Sequence, residues 1–146
     1  MKRLLSLALV ALMGLGIASA ADRIVYNDTP LPATAKQVLK SNFKSQVNFV
    51  KVDKNLLGGI DDYEVVLKNG TEVEFDSNGN LKSVEAGANG VPSGLILPSI
   101  QQYVNKNYKG KKIVQLDVEK NYYEVELSGG IELKFDRAGK FLSVNY

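Results

Sequence analysis

The sequence predicts an α+β fold. Two tandem repeats, each a helix followed by four strands, form one antiparallel sheet of about eight strands with two helices on one face. Three observations support this. The stretch YEVVLKNGTEVEFDSNGNLKSV, from Tyr63, returns from Tyr123 as YEVELSGGIELKFDRAGKFLSV. In both copies apolar residues fall at every second position, which is typical of strands with one buried face. Ahead of each copy, apolar residues follow helical spacing.

Each predicted helix starts at a leucine-proline pair, Leu31-Pro32 or Leu97-Pro98. Proline is tolerated at a helix start because its missing N–H has no partner there. Apolar residues then recur at i, i+3, i+4 and i+8. They are Ala35, Val38, Leu39 and Phe43 in the first helix, and Ile100, Tyr103, Val104 and Tyr108 in the second. Helices this short, about twelve residues, are marginal alone and need to dock on the sheet.

Four strands follow each helix. Residues 47–53 and 112–118 predict the first strand of each set, and the repeated stretches supply the other three. The pairs Asn69-Gly70 and Gly129-Gly130 are typical of tight hairpin turns, and DSNGN and DRAGK predict the next turn in each copy. The repeats then span about 30–86 and 96–146, with a joint near residues 87–93. Neither is expected to be a separate domain, so residues 21–146 are predicted to form a single one.

The first twenty residues predict a secretory signal peptide. Lys2 and Arg3 precede an apolar run, and Ala18-Ser19-Ala20 is a small-residue cleavage pattern. A retained N-terminal anchor is the alternative. The run is short for a membrane span, and the absence of cysteine excludes a lipid anchor on a processed cysteine. We therefore expect a periplasmic or secreted protein with no stable membrane insertion after cleavage.

Composition excludes several classes of function. Removing Lys2 and Arg3 from the 18 basic residues leaves 16, equal to the 16 acidic ones, so the basic surface that nucleic acid requires is not expected. The chain has no histidine and no cysteine. Thiolate catalysis, imidazole bases and most zinc, copper or haem sites are thereby excluded. No cofactor, metal or catalytic residue is predicted, and no glycine-rich nucleotide loop occurs.

The motifs also resemble a known family. Both repeats contain Leu-Pro, a short helix ending in Asn-Phe or Asn-Tyr, then Tyr-Glu-Val-x-Leu, a glycine turn and Phe-Asp-x-x-Gly. This pattern is similar to that of the PepSY-like proteins of Bacteroidetes. The resemblance covers nearly all of residues 21–146 and implies a fold like that of the secreted β-lactamase inhibitor protein. No inhibitory loop matches residue by residue, so the resemblance assigns no inhibitory residue.

Several charged and aromatic side chains are predicted to lie on the polar face of the sheet. The candidate interaction residues there are Glu64, Glu72, Glu74, Glu124, Glu126, Glu132, Lys134 and Tyr122. Two glutamates on paired strands could form an acid/base couple, but charged rows are normal on the wet face of a one-sided sheet. Nothing in the sequence indicates a desolvated carboxylate with a raised pKa. DSNGN begins like a calcium loop but lacks its glycine and glutamate spacing, so a hairpin turn is favoured.

The first repeat has a longer loop than the second, KNLLGGIDDY against VEKNYY. Its apolar residues Leu56, Leu57 and Ile60 could contact a partner or fold back over the sheet edge, and the sequence leaves both open.

These observations together predict an exported, non-enzymatic binding or inhibitory module. It would act on an unknown envelope protein or peptide through the open sheet face and loops. The alternative is a small-molecule or glycan-binding sensor domain of the cell envelope.

Overall fold

Nine antiparallel strands, neighbours in chain order, form one sheet. The computed structural model describes residues 22–146, and the predicted signal peptide, residues 1–20, lies outside them. The elements of the first repeat, with the strand before it, are β1 (Arg23–Val25), α1 (Ala33–Asn42), β2 (Val47–Lys54), β3 (Ile60–Leu67), β4 (Glu72–Asp76) and β5 (Leu81–Glu85). The second repeat contributes α2 (Pro98–Asn107), β6 (Ile113–Val118), β7 (Tyr122–Leu127), β8 (Ile131–Asp136) and β9 (Phe141–Asn145).

The predicted fold class is confirmed, with one strand more than the expected eight. The additional strand, β1, pairs antiparallel with β2 and brings Ile24 opposite Lys51. It has three residues, too few for an alternating pattern to appear in the sequence. Pairing with β2 satisfies backbone N–H and C=O groups of β1, which a single strand cannot satisfy by itself.

The core is a layer of aliphatic side chains that crosses both repeats. One residue from each strand from β2 to β8 stands in a single cross-strand row, each at most 1% exposed: Val50, Val65, Val73, Val84, Leu116, Val125 and Leu133. Val84 on β5 opposes Leu116 on β6, where the two repeats meet. The apolar face of the sheet is therefore continuous across the joint.

Both helices cover this apolar face. Ala35 and Leu39 of α1, and Ile100 and Val104 of α2, are buried with the strand residues in one cluster. Pro98 is the first residue of α2, whereas Pro32 precedes α1. Within residues 22–146 the structure contains no helix whose length and hydropathy would allow it to cross a membrane.

The repeated Phe-Asp-x-x-Gly motif forms the turn on which each helix docks. Asp76 Oδ1 accepts hydrogen bonds from the backbone N–H groups of Asn78 and Asn80, at 2.8 and 2.9 Å. Gly79 has φ +86°, and a Cβ there would overlap the Thr34 hydroxyl at the start of α1. In the second repeat Gly139 also has φ +86°, and a Cβ there would overlap the hydroxyl of Ser99 on α2. The glycine of the motif therefore has a structural role, because only glycine fits both the backbone conformation and the close approach of the helix.

Candidate functional site

The face of the sheet opposite the helices carries a row of polar residues. It crosses eight strands in register, from β2 to β9: Lys51, Glu64, Glu74, Ser83, Asp117, Glu124, Lys134 and Ser143. Because successive strand residues point to opposite faces, this row lies on the side away from the core. We call this surface the open face.

In the first repeat, two lysine side chains form salt bridges with carboxylates of the open face. The Lys51 ammonium lies 2.8 Å from Asp53, 3.5 Å from Asp22 and 3.9 Å from Glu64. Burial alone would lower the pKa of Lys51, but its hydrogen bond to Asp53 and the surrounding negative charges raise it above the ordinary value. Lys51 is therefore held as a cation among carboxylates.

A second lysine, Lys82 on β5, also forms salt bridges with carboxylates. The Lys82 ammonium lies 2.9 Å from Asp62 and 2.8 Å from Glu74. All salt bridges within 4.0 Å among residues 22–146 are those of Lys51 and Lys82. Two ammonium groups thus lie among five carboxylates, and Glu72 and Glu85, which oppose each other on β4 and β5, form no salt bridge with either.

The second repeat forms a groove on the same face. Its volume is about 640 Å³, and its lining includes Glu74 and Ser83 from the first repeat and Asp117, Glu124 and Lys134 from the second. Glu119, Tyr122, Glu132, Ser143 and Asn145 also line it. The Lys134 ammonium lies 4.0 Å from the centroid of the Tyr122 ring, over its face. The groove therefore offers carboxylates, two serine hydroxyls, an amide, one aromatic ring and the ammonium groups of Lys82 and Lys134.

Asp117 has the most perturbed environment on this face. Its burial, followed by the charge of Glu124 on the paired strand, raises its pKa from 3.8 to about 6. Glu119 and Glu74 act in the same direction, whereas the amide of Gln115, which donates to Asp117 Oδ2 at 3.0 Å, opposes the shift. The expectation that no carboxylate is desolvated was wrong, because strand register places Asp117 between Ser83 of β5 and Glu124 of β7, which alternation alone does not reveal.

Comparison with sequence models of known families assigns the chain to one of them. The sequence model of the family described as "Putative beta-lactamase-inhibitor-like, PepSY-like" matches residues 61–143. The chain belongs to the PepSY-like family. This confirms the resemblance that the two repeats indicated. No curated protein matches the sequence.

Crystal structures of Bacteroides proteins are similar to this PepSY-like protein. One, described as a "putative calcium-regulated periplasmic protein" from Bacteroides thetaiotaomicron, has 35% identity and a TM-score of 0.79, covering 86% of this chain and 97% of that one. A "putative periplasmic protein of unknown function" from Bacteroides vulgatus has 31% identity and a TM-score of 0.79, covering 86% and 100%. Another from the same species has 29% identity and a TM-score of 0.77, covering 88% and 100%. The PepSY-like protein is accordingly periplasmic or secreted, as predicted.

The structure gathers some of the predicted interaction residues at the groove. Glu74, Tyr122, Glu124, Glu132 and Lys134 all line it. The sequence-based prediction missed Asp117, Ser83, Glu119, Lys82, Ser143 and Asn145, which line it too.

The other predicted glutamates lie elsewhere on the open face. Glu64 sits beside Lys51, and Glu126 opposes Glu132 in register without lining the groove. Glu72 opposes Glu85 and borders a separate hollow of about 210 Å³. Burial, and then the charge of Glu85, raises the pKa of Glu72. These three residues do not belong to the groove.

The long loop of the first repeat is the tip of the β2–β3 hairpin. Asn55 organises it, since its Oδ1 accepts hydrogen bonds from the backbone N–H groups of Leu57 and Gly59 at 3.1 and 3.0 Å. Leu56 is 99% and Leu57 98% exposed, and Ile60 is 39% exposed. The two leucines therefore do not fold back over the sheet edge.

The DSNGN segment forms a hairpin turn. Asp76 accepts two backbone hydrogen bonds and, through Oδ2, a third at 2.9 Å from the side chain of Asn80. Burial would raise the pKa of Asp76, but these hydrogen bonds outweigh it and lower the pKa. In the part of the chain that the structure describes, histidine, cysteine and acidic residues form no group of three able to hold a metal ion.

Proposed function

We propose that this PepSY-like protein is an exported, non-catalytic binding module whose groove holds a segment of another envelope protein or a peptide. The observation that carries the proposal is the contrast in charge on the open face. Lys51 and Lys82 form salt bridges with five carboxylates in and beside the first repeat, whereas Asp117 and Glu124 in the groove have no salt bridge within 4.0 Å among the described residues. Unneutralised charge in a concave site is suited to recognition.

A binding role is favoured over catalysis for chemical reasons. With no histidine and no cysteine in the sequence, the groove can hold neither an imidazole base nor a thiolate. The raised pKa of Asp117 is explained by burial and by Glu124, and neighbouring carboxylates of a charged row produce such a shift without a reaction. If the bound protein is an enzyme, occupation of its surface by this module would make the interaction inhibitory.

A photo-crosslinking experiment in cells that export the protein tests the proposal. A benzophenone amino acid is placed at Tyr122 or Asn145 in the groove, with Gln102 on the exposed side of α2 as the matched control. We expect a discrete polypeptide adduct from both groove positions and none from residue 102. Adducts from all three positions, or from none, would contradict the proposal.

The alternative is a small-molecule or glycan-binding sensor. One observation favours it, namely that Tyr122 lies beside carboxylates and the Asn145 amide, a combination that can orient a small polar ligand. In the same experiment this alternative predicts an adduct of low mass at residue 122 instead of a polypeptide.

The description of the B. thetaiotaomicron relative as calcium-regulated suggests a further comparison. In this chain ammonium groups occupy the space between the carboxylates around Lys51 and Lys82. We infer that these carboxylates do not bind calcium. Thermal unfolding with millimolar calcium or with a chelator checks this, and an increase of several degrees with calcium would show the inference to be wrong.

A further inference from the structure

Strand pairing identifies the residue of the second repeat that corresponds to Lys51. In the first repeat, Val50 opposes Val65, Lys51 opposes Glu64 and Val52 opposes Tyr63. In the second, Leu116 opposes Val125, Asp117 opposes Glu124 and Val118 opposes Tyr123. Equivalent apolar residues therefore flank the two positions, and aspartate stands where the first repeat has lysine.

This exchange converts an attractive pair into a repulsive one. Lys51 and Glu64 are 3.9 Å apart as opposite charges. Asp117 and Glu124 are cross-strand neighbours of like charge, an arrangement that destabilises a sheet unless a cation lies between them. Burial, and then this repulsion by Glu124, raises the pKa of Asp117.

The second lysine of the first repeat is also replaced. At the offset of 60 that relates the repeated stretches, Leu142 corresponds to Lys82 and Lys134 to Glu74. Leu142 is 52% exposed and carries no charge. Lys134 opposes Glu124 in register, but its ammonium lies over the ring of Tyr122 and forms no salt bridge within 4.0 Å among residues 22–146, and Lys82 is held by Asp62 and Glu74. Neither lysine of the groove is therefore the counter-ion of Asp117.

On these grounds we propose that a cationic side chain of the bound segment, an arginine or lysine, enters the groove between Asp117 and Glu124. It takes the place that Lys51 occupies in the first repeat. The inference rests on the proposed function and specifies the chemistry of the partner. Five carboxylates and two lysines line the groove, so a positively charged segment is the complementary one. Arginine suits the site better than lysine, since its planar group donates to several carboxylate oxygens at once.

The test uses two peptides that differ only in charge. N-acetyl-Gly-Arg-Gly-amide is titrated into the ¹⁵N-labelled protein, alongside the same peptide with the neutral isostere citrulline. We expect saturable shifts of the Asp117 and Glu124 amide signals with arginine and none with citrulline. Equal shifts with both peptides, or none that saturate with arginine, would overturn the proposal.

Two charge variants test whether the arginine peptide binds at Asp117. Asp117→Lys supplies an internal cation like Lys51 and should weaken binding of the arginine peptide about tenfold or more. Asp28→Lys makes the same change in net charge at an exposed residue outside the groove and should bind like the wild type. Asp117→Asn, which removes the charge without adding bulk, serves if the lysine variant misfolds, and it should also bind weakly. Unchanged binding in either Asp117 variant would refute the assignment.

The peptide titration and the crosslinking experiment test different claims, so their results distinguish a wrong cation site from a wrong binding function. If residue 122 still crosslinks to a polypeptide while the arginine peptide fails to bind, the cation site is wrong and the binding function stands. If crosslinking from the groove also fails, both are wrong.

Discussion

The two repeats differ mainly on the side of the sheet that faces away from the helices. On the apolar side they place equivalent residues in one row, and Phe75 and Phe135 are both fully buried at matching positions. On the open face, the first repeat contains every salt bridge of the described residues, and the second contributes most of the groove. The comparison teaches that one half of a duplicated scaffold can hold its lysines in salt bridges with nearby carboxylates while the other half leaves carboxylates without such a partner among residues 22–146.

The largest expected effect tests whether the repeats share one core. Phe75→Ala and Phe135→Ala should each lower the free energy of unfolding by about 3–5 kcal/mol, since each deletes a fully buried ring. Because the core row continues across β5 and β6, urea unfolding followed by circular dichroism should show a single transition in both variants. Two separate transitions would show that the repeats are independent domains.

The next largest effect on stability is expected at the turns on which the two helices dock. Gly79→Ala and Gly139→Ala should each cost about 2–4 kcal/mol, from strain at positive φ and from overlap with the helix start. Gly70→Ala is the matched control, because Gly70 also has positive φ but a Cβ there meets nothing within 4 Å. It should cost only about 1–2 kcal/mol. Equal losses in the control and the two turn variants would disprove the close-approach explanation.

A smaller effect, on the pH dependence of stability, is expected from Asp117 on the open face of the second repeat. Since the pKa of Asp117 in the folded protein is about 6, above its ordinary 3.8, the folded state binds this proton more tightly than the unfolded state. Stability should therefore fall as the pH rises through this window and stay lower above it. Asp117→Asn should make this pH dependence smaller and raise the melting temperature near pH 7.5 by about 2–4 °C.

Thermal unfolding between pH 4 and 8 measures this difference. Glu124→Gln removes the neighbouring charge and should lower the pKa of Asp117, which carboxyl NMR titration can follow. Parallel pH profiles for the wild type and Asp117→Asn would contradict the assignment.

The smallest effect is expected at the hairpin tip, which only the first repeat has. Leu56→Ser with Leu57→Ser should change the free energy of unfolding by less than about 0.5 kcal/mol, because both side chains are almost fully exposed. Chemical denaturation measures the change. A loss of several kcal/mol would mean that the leucines pack against the protein, and would remove the tip from the candidate contact surfaces.

Much of the fold could be predicted because alternation and helical spacing are local properties. The bounds of α1, α2 and the strands from β2 to β9 lie close to the predicted ones, whereas three-residue β1 had no periodic signal. The identity of Asp117 as a groove residue could not be predicted in the same way. The repeats align at an offset of 60 after the hairpin, but Lys51 and Asp117 are 66 positions apart, because the first repeat has the longer hairpin loop.

The sequence by itself determined which residues form helices and strands and which face of each strand is buried, since these depend on the spacing of apolar residues along the chain. Only the tertiary structure decided which charged residues become neighbours. Strand register brings Lys51 to Glu64 but Asp117 to Glu124, and it also places Asp117 opposite Ser83 of β5, far earlier in the chain. Electrostatic interactions act between groups close in space, and the register that sets these distances is a property of the assembled sheet.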